Sequence, residues 1–279
     1  MSMKYMYITN DIKVAEMIDS IGVDRIFIDL EQIGKQERQN AMNTVKSQHT
    51  YGDIKNIKKI IKNSQLLVRC NPIHDEYIDG YDTSKDEIDK IISNGADIIM
   101  LPMWKTLDDV RTFIKYVDKR AKTLLLLETG EAELILDEVL KINGIDEIHI
   151  GLNDLHISYK KKFMFELLSN GVVESICEKI APTNIFYGFG GIARIGQGLL
   201  PAEYILGEHY RLNSKMVILS RSFYNSNDIV SFEETYDIFN AEFQKLKDYE
   251  KKISLWNEED FIMNKDRLKK SVEKIVENI

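Results

Sequence analysis

The chain has 279 residues, with 37 Lys or Arg against 45 Asp or Glu, so its formal net charge is −8. A hydrophobic fraction of 44% is enough for a large buried core and excludes wholesale disorder. The acidic balance disfavours nucleic-acid binding, because phosphates are attracted by a positive field. No apolar stretch approaches the roughly 18 residues that span a bilayer, and two distant cysteines suit a reducing compartment. We therefore expect a cytoplasmic protein without membrane or nucleic-acid partners.

Short apolar segments rich in β-branched residues alternate with helical segments along the chain. The predicted strands cover residues 5–9, 25–31, 65–70, 97–103, 123–128, 147–152, 185–191 and 216–221. The predicted helices between and after them include 11–21, 36–47, 54–62, 85–94, 106–119, 131–142, 231–252 and 258–277. From the third strand onward, each strand begins 24 to 40 residues after the previous one, about the length of one βα unit.

Strands that are apolar nearly throughout indicate a parallel sheet covered by helices. We predict an α/β fold, a (β/α)₈ TIM barrel with an additional C-terminal helix. A doubly wound open sheet is the alternative, although no glycine-rich dinucleotide-binding turn follows the first strand. The prediction is a single domain over 1–279, with the barrel in about 1–252 and a helical extension in 253–279.

The last predicted helix has an apolar face that eight barrel units do not require. This face consists of Phe261, Leu268, Val272 and Ile275. We expect it to support a homo-oligomer, with packing on its own barrel as the alternative.

Two carboxylates close neighbouring predicted strands. The carboxyl ends of barrel strands face the active-site mouth, and Glu128 and Asp154 would lie on strands spaced by roughly 5 Å. Carboxylates that close repel each other unless they share a proton or a cation. Mg²⁺ or Mn²⁺ is the natural solution, because these ions prefer oxygen ligands. Alternatively, Glu128 is a structural partner of Arg69 and Asp154 is the N-cap of the next helix.

Arg69 ends another predicted strand, where a guanidinium is suited to bind a carboxylate or an enolate oxygen. The alternative from position alone is a buried ion pair with Glu31 or Glu128.

Five segments match known motifs in the same order along the chain: FIDLEQIGKQER (27–38), LVRCNP (67–72), GADIIMLPM (95–103), LLLLETGEA (124–132) and IDEIHIGLNDL (145–155). They resemble the HpcH/HpaI aldolase family, which includes citrate lyase beta-type enzymes. The resemblance implies a (β/α)₈ barrel, a divalent metal (Mg²⁺, or Mn²⁺ or Co²⁺) and chemistry at a carbon–carbon bond next to a pyruvate- or acetyl-type enolate.

The resemblance also implies roles for individual residues. Glu128 and Asp154 match the metal ligands, and Arg69 matches the arginine that steadies the enolate. Asp29 and Glu31 match the acidic strand that orders the metal-bound waters. We therefore expect a metal-dependent, class II-type aldolase or carbon–carbon lyase. Its substrate would be a 2-oxo acid or an aldehyde. The 2-oxo acids considered include sugar-derived and phosphorylated ones. A citryl- or malyl-CoA type lyase and a non-catalytic barrel retained for ligand binding are the alternatives.

The sequence departs from the pyruvate aldolases of this family at one position. Those enzymes carry a His as general base after the acidic strand, where this chain has Gln32 after Glu31. Gln cannot take up a proton, and the citrate lyase-like branch also lacks the His. The replacement candidates are His49, His74, a metal-bound hydroxide or the substrate itself.

Further candidate substrate-binding residues are His49 and several residues near later strand ends. Asn153 precedes Asp154, Gly190 and Gly191 belong to the glycine-rich segment 188–198, and Arg221 ends the last strand. Loops after the seventh and eighth barrel strands often hold a phosphate through backbone N–H groups, but the glycines equally suit a tight turn. Arg221 would bind an acidic substrate or join a surface ion-pair network.

Overall fold

A computed structural model describes residues 3–35, 48–74, 78, 80–223 and 232–279. The helix predicted over 36–47 lies outside these residues. The chain divides into two compact units. The first unit is Met6–His149, and the second consists of Met1–Tyr5 with Ile150–Ile279.

The first unit alternates parallel strands with helices, as the sequence predicts. Its strands, which lie side by side in chain order, are β1 (Lys4–Ile8), β2 (Arg25–Asp29), β3 (Gln65–Arg69), β4 (Ile98–Leu101), β5 (Lys122–Leu127) and β6 (Glu147–Ile150), the outer two extending past the unit boundary. Its helices are α1 (Ile12–Ile21), α2 (Tyr51–Ile60), α3 (Ser84–Ser93), α4 (Leu107–Val117), α5 (Gly130–Leu134) and α6 (Leu136–Val139). The strands are almost wholly buried, which explains their continuous apolar sequence.

The second unit continues the alternation and adds two long helices. Its strands are β7 (Phe186–Phe189), β8 (Gly191–Ile192) and β9 (Met216–Leu219). Its helices are α7 (Leu152–Ser158), α8 (Glu166–Ser169), α9 (Val172–Ile180), α10 (Ala202–Arg211), a 3₁₀ turn (Arg221–Phe223), α11 (Phe232–Ile253) and α12 (Glu258–Glu277). The predicted strand over 185–191 is divided at Gly190, whose φ of +54° suits glycine. The α/β class and TIM-barrel type of fold, with additional C-terminal helices, are confirmed.

The register of β2 and β3 determines which polar residues meet at the strand ends. These strands are parallel, and the last pair in their register is Asp29 with Arg69. Helix α2 begins shortly before β3 with a capping box, in which Thr50 and Asp53 satisfy each other's backbone N–H groups. This cap fixes the chain immediately after His49.

Helix α12 packs against α10 within the second unit. Its Asn264 side chain donates hydrogen bonds to the Tyr204 carbonyl (3.0 Å) and to Glu208 Oε1 (3.3 Å). A side chain at Gly207 would collide with Asn264, so the close approach of the helices requires glycine there.

Two residues of the face predicted to bind a second copy are buried inside their own unit. Leu268 and Val272 are buried, whereas Phe261 and Ile275 are partly exposed. Packing on the same chain therefore accounts for half of this face, and the homo-oligomer through α12 stays a prediction. Across the described parts of the chain, none of the helices combines the length and apolar character needed to cross a bilayer.

A buried ion pair joins the amino-terminal ends of β2 and β6. The guanidinium of Arg25 donates to both oxygens of Glu147, at 2.5 and 2.6 Å, and both side chains are 3% exposed. We expect Arg25→Met to lower the free energy of unfolding by about 3–5 kcal/mol, because it leaves a buried carboxylate without its main partner. Urea unfolding measures this loss.

The control for this variant is Arg111→Ala, which removes an exposed ion pair with Asp108 and should leave unfolding unchanged. The double variant Arg25→Met with Glu147→Leu should recover much of the loss, because no buried charge remains. Equal losses in the single and double variants would contradict this account.

Candidate active site

Asp29 is the centre of a buried cluster at the ends of β2 and β3. Arg69 holds both of its oxygens, with Nε donating to Oδ1 and Nη2 donating to Oδ2, each at 2.8 Å. Lys35 Nζ lies 2.5 Å from Oδ2, and the backbone N–H of Glu31 donates to Oδ1 at 3.2 Å. Four donors therefore surround one carboxylate that is 4% exposed.

These donors determine the protonation of Asp29. Burial alone would raise the pKa of its carboxyl, but the charges and hydrogen bonds of Arg69 and Lys35 lower it well below its ordinary value. Asp29 is therefore ionised, and its lone pairs are occupied. It acts as a positioning residue for Arg69 and is a poor candidate for a general base.

Asp29 engages one edge of the Arg69 guanidinium. Its pKa is raised, because Asp29, Glu31 and Glu128 outweigh the opposing effect of burial. The group lies over the Phe27 ring, 5.6 Å from the centroid, which adds a cation–π contact. Nε and Nη2 bind Asp29, whereas Nη1 makes no hydrogen bond to any part of the chain that the structure describes.

Glu31 and Lys35 complete the charged cluster. Glu31 Oε2 lies 3.4 Å from Arg69 Nη2 and 3.9 Å from Lys35 Nζ, and Glu31 is 3% exposed. The predicted ion pair of Arg69 with Glu31 is thus present, with Asp29 as the stronger partner. The sequence analysis missed Lys35, and its spacing of four residues from Glu31 was the available signal.

Glu128 follows β5 and is oriented by the turn after β4. Its Oε1 accepts the backbone N–H of Met103 at 3.0 Å, and Glu128 is 3% exposed. Met103 has a φ of +52°, a left-handed conformation that side chains seldom adopt. Thr129 caps α5 by accepting the Ala132 N–H, and its hydroxyl donates to the Trp104 carbonyl. These bonds hold the turn that contains Met103 beside the backbone of Glu128. The strained backbone conformation of Met103 therefore lies next to a candidate metal ligand.

Asn71 positions the segment that carries Gln32. Its Oδ1 accepts the backbone N–H groups of Gln32 (2.8 Å) and Ile33 (2.9 Å). The backbone N–H and side-chain amide of Asn71 both donate to Glu87 Oε1, at 3.0 Å. Burial raises the pKa of Glu87, although the two bonds from Asn71 oppose this shift. Two hydrogen bonds therefore hold the backbone at Gln32, the position where the pyruvate aldolases are expected to carry their base.

The two candidate replacement bases are engaged in local contacts. His49 Nδ1 accepts a hydrogen bond from the backbone N–H of Asp29 at 2.9 Å. This N–H lies beyond the point where the neighbouring strand β1 ends. The two ring nitrogens of His74 lie 2.7 Å from the carbonyl oxygens of Pro72 and Asp82. Ser84 Oγ also lies 3.0 Å from His74 Nδ1, so both ring nitrogens are engaged by neighbouring groups of the same chain.

Asp154 and Asn153 lie in the first turn of α7, in the second unit. The N-cap of this helix is Gly151, so the alternative assignment of Asp154 as an N-cap is wrong. Glu128 belongs to the first unit. The pairing of Glu128 with Asp154 around a cation therefore stays a prediction.

The glycine-rich segment supports a tight turn at Gly190. The backbone N–H of Gly190 donates to the Ile150 carbonyl at 2.8 Å, so this contact occupies a donor that a phosphate would need. Gly191 lies in β8 opposite Ile218 of β9. Arg221 begins the 3₁₀ turn after β9 and is exposed, which leaves its predicted role in substrate binding open to test.

The first unit offers carboxylate oxygens of the kind that a hard divalent cation binds. Among the described residues, Asp29 and Glu31 lie against Arg69 and Lys35, and Glu128 acts on Arg69 through its charge. The oxygens of Asp29 are already occupied, which leaves Glu128 as the best oxygen ligand. No group of three or more His, Cys, Asp or Glu side chains is arranged for a metal within the described ranges. A cation held by few carboxylates and several waters is typical of Mg²⁺.

In an α/β barrel-type fold, an arginine at the carboxyl ends of the strands lies where such enzymes build their sites, and a guanidinium there is suited to an anionic oxygen. A profile of the HpcH/HpaI aldolase/citrate lyase family matches residues 4–166, which is more than half of the chain. The chain belongs to the HpcH/HpaI aldolase/citrate lyase family. This membership supports a carbon–carbon lyase and confirms the resemblance seen in the sequence. No curated protein matches the chain at the level of sequence.

Solved structures share the fold at low sequence identity. The HpcH/HpaI aldolase from Desulfitobacterium hafniense DCB-2 has 14% identity and a TM-score of 0.59, over 88% of this chain and 93% of its own. A family protein from Burkholderia cenocepacia J2315 has 11% identity and a TM-score of 0.62, over 88% and 94%. The citrate synthase SbnG has 14% identity and a TM-score of 0.58, over 88% and 94%.

The low pKa of Asp29 predicts a measurable pH dependence of stability. A lowered folded-state pKa adds stability above the unfolded value near 4, and this stability is lost as the pH falls towards the folded value. We expect the unfolding free energy of Asp29→Asn to depend less steeply on pH between about 5 and 3 than that of the wild type. Urea unfolding across this range measures both slopes. Parallel curves would show that Asp29 is not held ionised by Arg69 and Lys35.

Proposed function

We propose that this protein is a divalent-metal-dependent carbon–carbon lyase that acts on a 2-oxo acid through a pyruvate-type enolate. The proposal rests on the way in which Asp29 orients the guanidinium of Arg69. Asp29 fixes two of its nitrogens, and Nη1 is left for an anionic ligand. Family membership supplies the reaction class, whereas the metal and the substrate belong to the proposal.

Each side chain of the cluster has a defined task in this proposal. Arg69 Nη1 binds an oxygen of the substrate carboxylate or enolate, and Asp29 keeps the guanidinium in place. Glu128 and Asp154 would hold the cation, which would supply positive charge to a developing oxyanion. Glu31 adds negative charge beside Arg69, which suits the binding of water around a cation.

The cleavage reaction requires charge stabilisation at one oxygen. In the retro-aldol direction, the hydroxyl proton passes to solvent or to another group of the substrate, and its electron pair forms the carbonyl of the released aldehyde. The carbon–carbon bond breaks, and the electron pair of that bond becomes the enolate. A guanidinium already oriented toward the developing oxyanion stabilises it without reorganisation. Removal of one such donor costs on the order of 10²–10³ in rate in well-studied enzymes, which sets the scale expected for Arg69.

The test is release of pyruvate from 4-hydroxy-2-oxo acids with added Mg²⁺, Mn²⁺ or Co²⁺. We expect Arg69→Met to lower kcat/KM by about 100-fold. We expect Glu128→Gln to abolish the stimulation by metal. Glu131→Gln is the matched control, because Glu131 is an exposed neighbour paired with Lys105, and it should behave as the wild type.

Loss of activity in Glu131→Gln, or full metal stimulation in Glu128→Gln, would overturn this assignment. A non-catalytic barrel is tested separately by proton–deuterium exchange at the methyl group of pyruvate. Exchange that needs metal and is lost in Glu128→Ala excludes that alternative.

Gln32 favours a second candidate, a citryl- or malyl-CoA type lyase. The amide at the family's base position cannot accept a proton, and His49 Nδ1 already accepts the Asp29 N–H. A panel of acyl-CoA thioesters assayed beside free 2-oxo acids separates the two candidates. Cleavage of thioesters alone would replace the first proposal, and cleavage of free acids alone would retain it.

A further inference from the structure

We propose that Lys35 sets the charge balance of this site, strengthening the binding of an anionic substrate and weakening the binding of the cation. The inference rests on the proposed function. It assigns a positioning role to Lys35, which follows β2 in the chain. Lys35 Nζ lies 2.5 Å from Asp29 Oδ2 and 3.9 Å from Glu31 Oε2. Its side chain is 13% exposed, so solvent screens its charge only in part.

The Asp29 carboxylate is shared between two cationic side chains. Its Oδ2 accepts from Arg69 Nη2 and also lies within hydrogen-bond distance of Lys35 Nζ. A carboxylate shared between two cations neutralises each of them less than it would neutralise one alone. Lys35 therefore leaves more of the positive charge of Arg69 to act on a ligand at Nη1.

Asp29, Glu31 and Glu128 all act on Arg69, and Lys35 places a further positive charge against Asp29 and Glu31. Removal of Lys35 would raise the excess of negative charge at the site. The affinities for a cation and for an anion then change in opposite directions, which a general loss of structure does not produce.

The test measures two binding constants for each variant. Mn²⁺ alone is titrated first, and oxalate, a mimic of the pyruvate enolate, is titrated at saturating Mn²⁺. In Lys35→Met, we expect the Kd for Mn²⁺ to fall about tenfold and the Kd for oxalate to rise about tenfold. This is the size of effect expected when one partly screened charge is removed several ångströms from the ligand. Lys35→Arg keeps the charge, and both constants should stay near the wild-type values.

Two controls keep the result interpretable. Lys58→Met removes another Lys–Asp contact of the first unit, the 2.6 Å pair with Asp97, and should change neither constant. Glu31→Gln with Lys35→Met restores the charge balance and should bring both constants back towards the wild type. This double variant, compared with Glu31→Gln alone, also tests the proposal if Lys35→Met does not fold.

The outcomes separate this inference from the proposed function. A wild-type protein that binds neither Mn²⁺ nor oxalate contradicts the proposed function, and the inference falls with it. Binding of both by the wild type, with constants that are unchanged or weakened together when Lys35 is neutralised, overturns only the role of Lys35. Opposite shifts that Lys35→Arg does not show support it.

Discussion

The site depends on one interaction, the two-point contact between Arg69 and Asp29 at the ends of β2 and β3. Both residues are the last of their strands, and the parallel register places them side by side. A buried guanidinium is costly unless its donors are satisfied, and a bidentate carboxylate satisfies two of them in a fixed plane. The same contact directs Nη1 away from Asp29. Structural stability and ligand binding therefore use different edges of one group.

The surrounding loops are held by backbone contacts to side chains that are themselves buried. Asn71 fixes the segment of Gln32, and the Met103 N–H fixes Glu128. His49 satisfies the Asp29 N–H where the neighbouring strand has ended. Each contact supplies a partner to a polar group that would otherwise be buried at a cost. A rigid cluster of this kind binds a charged ligand with little reorganisation, which is the condition for electrostatic catalysis.

The strand order and the strand-end residues could be predicted, because apolar runs that close in Asp29, Arg69 or Glu128 are visible in a single sequence. The partner of Arg69 could not be predicted, because its position in the sequence suggested Glu31 or Glu128. The register of β2 against β3 places Asp29 beside it instead. Lys35 was missed because its contact depends on the path of the chain after β2. Asp154 as an N-cap was wrong because α7 begins at Leu152, ahead of it. Helix starts depend on backbone geometry that residue types alone do not determine.

The most direct test of the central claim is a crystal structure with Mn²⁺ and oxalate, read by anomalous scattering. We expect one anomalous peak within about 2.0–2.3 Å of a carboxylate oxygen of Glu128, and an oxalate oxygen within hydrogen-bond distance of Arg69 Nη1. Asp29 should still hold Nε and Nη2. A peak bound elsewhere, or oxalate that displaces Asp29 from Arg69, would contradict the account.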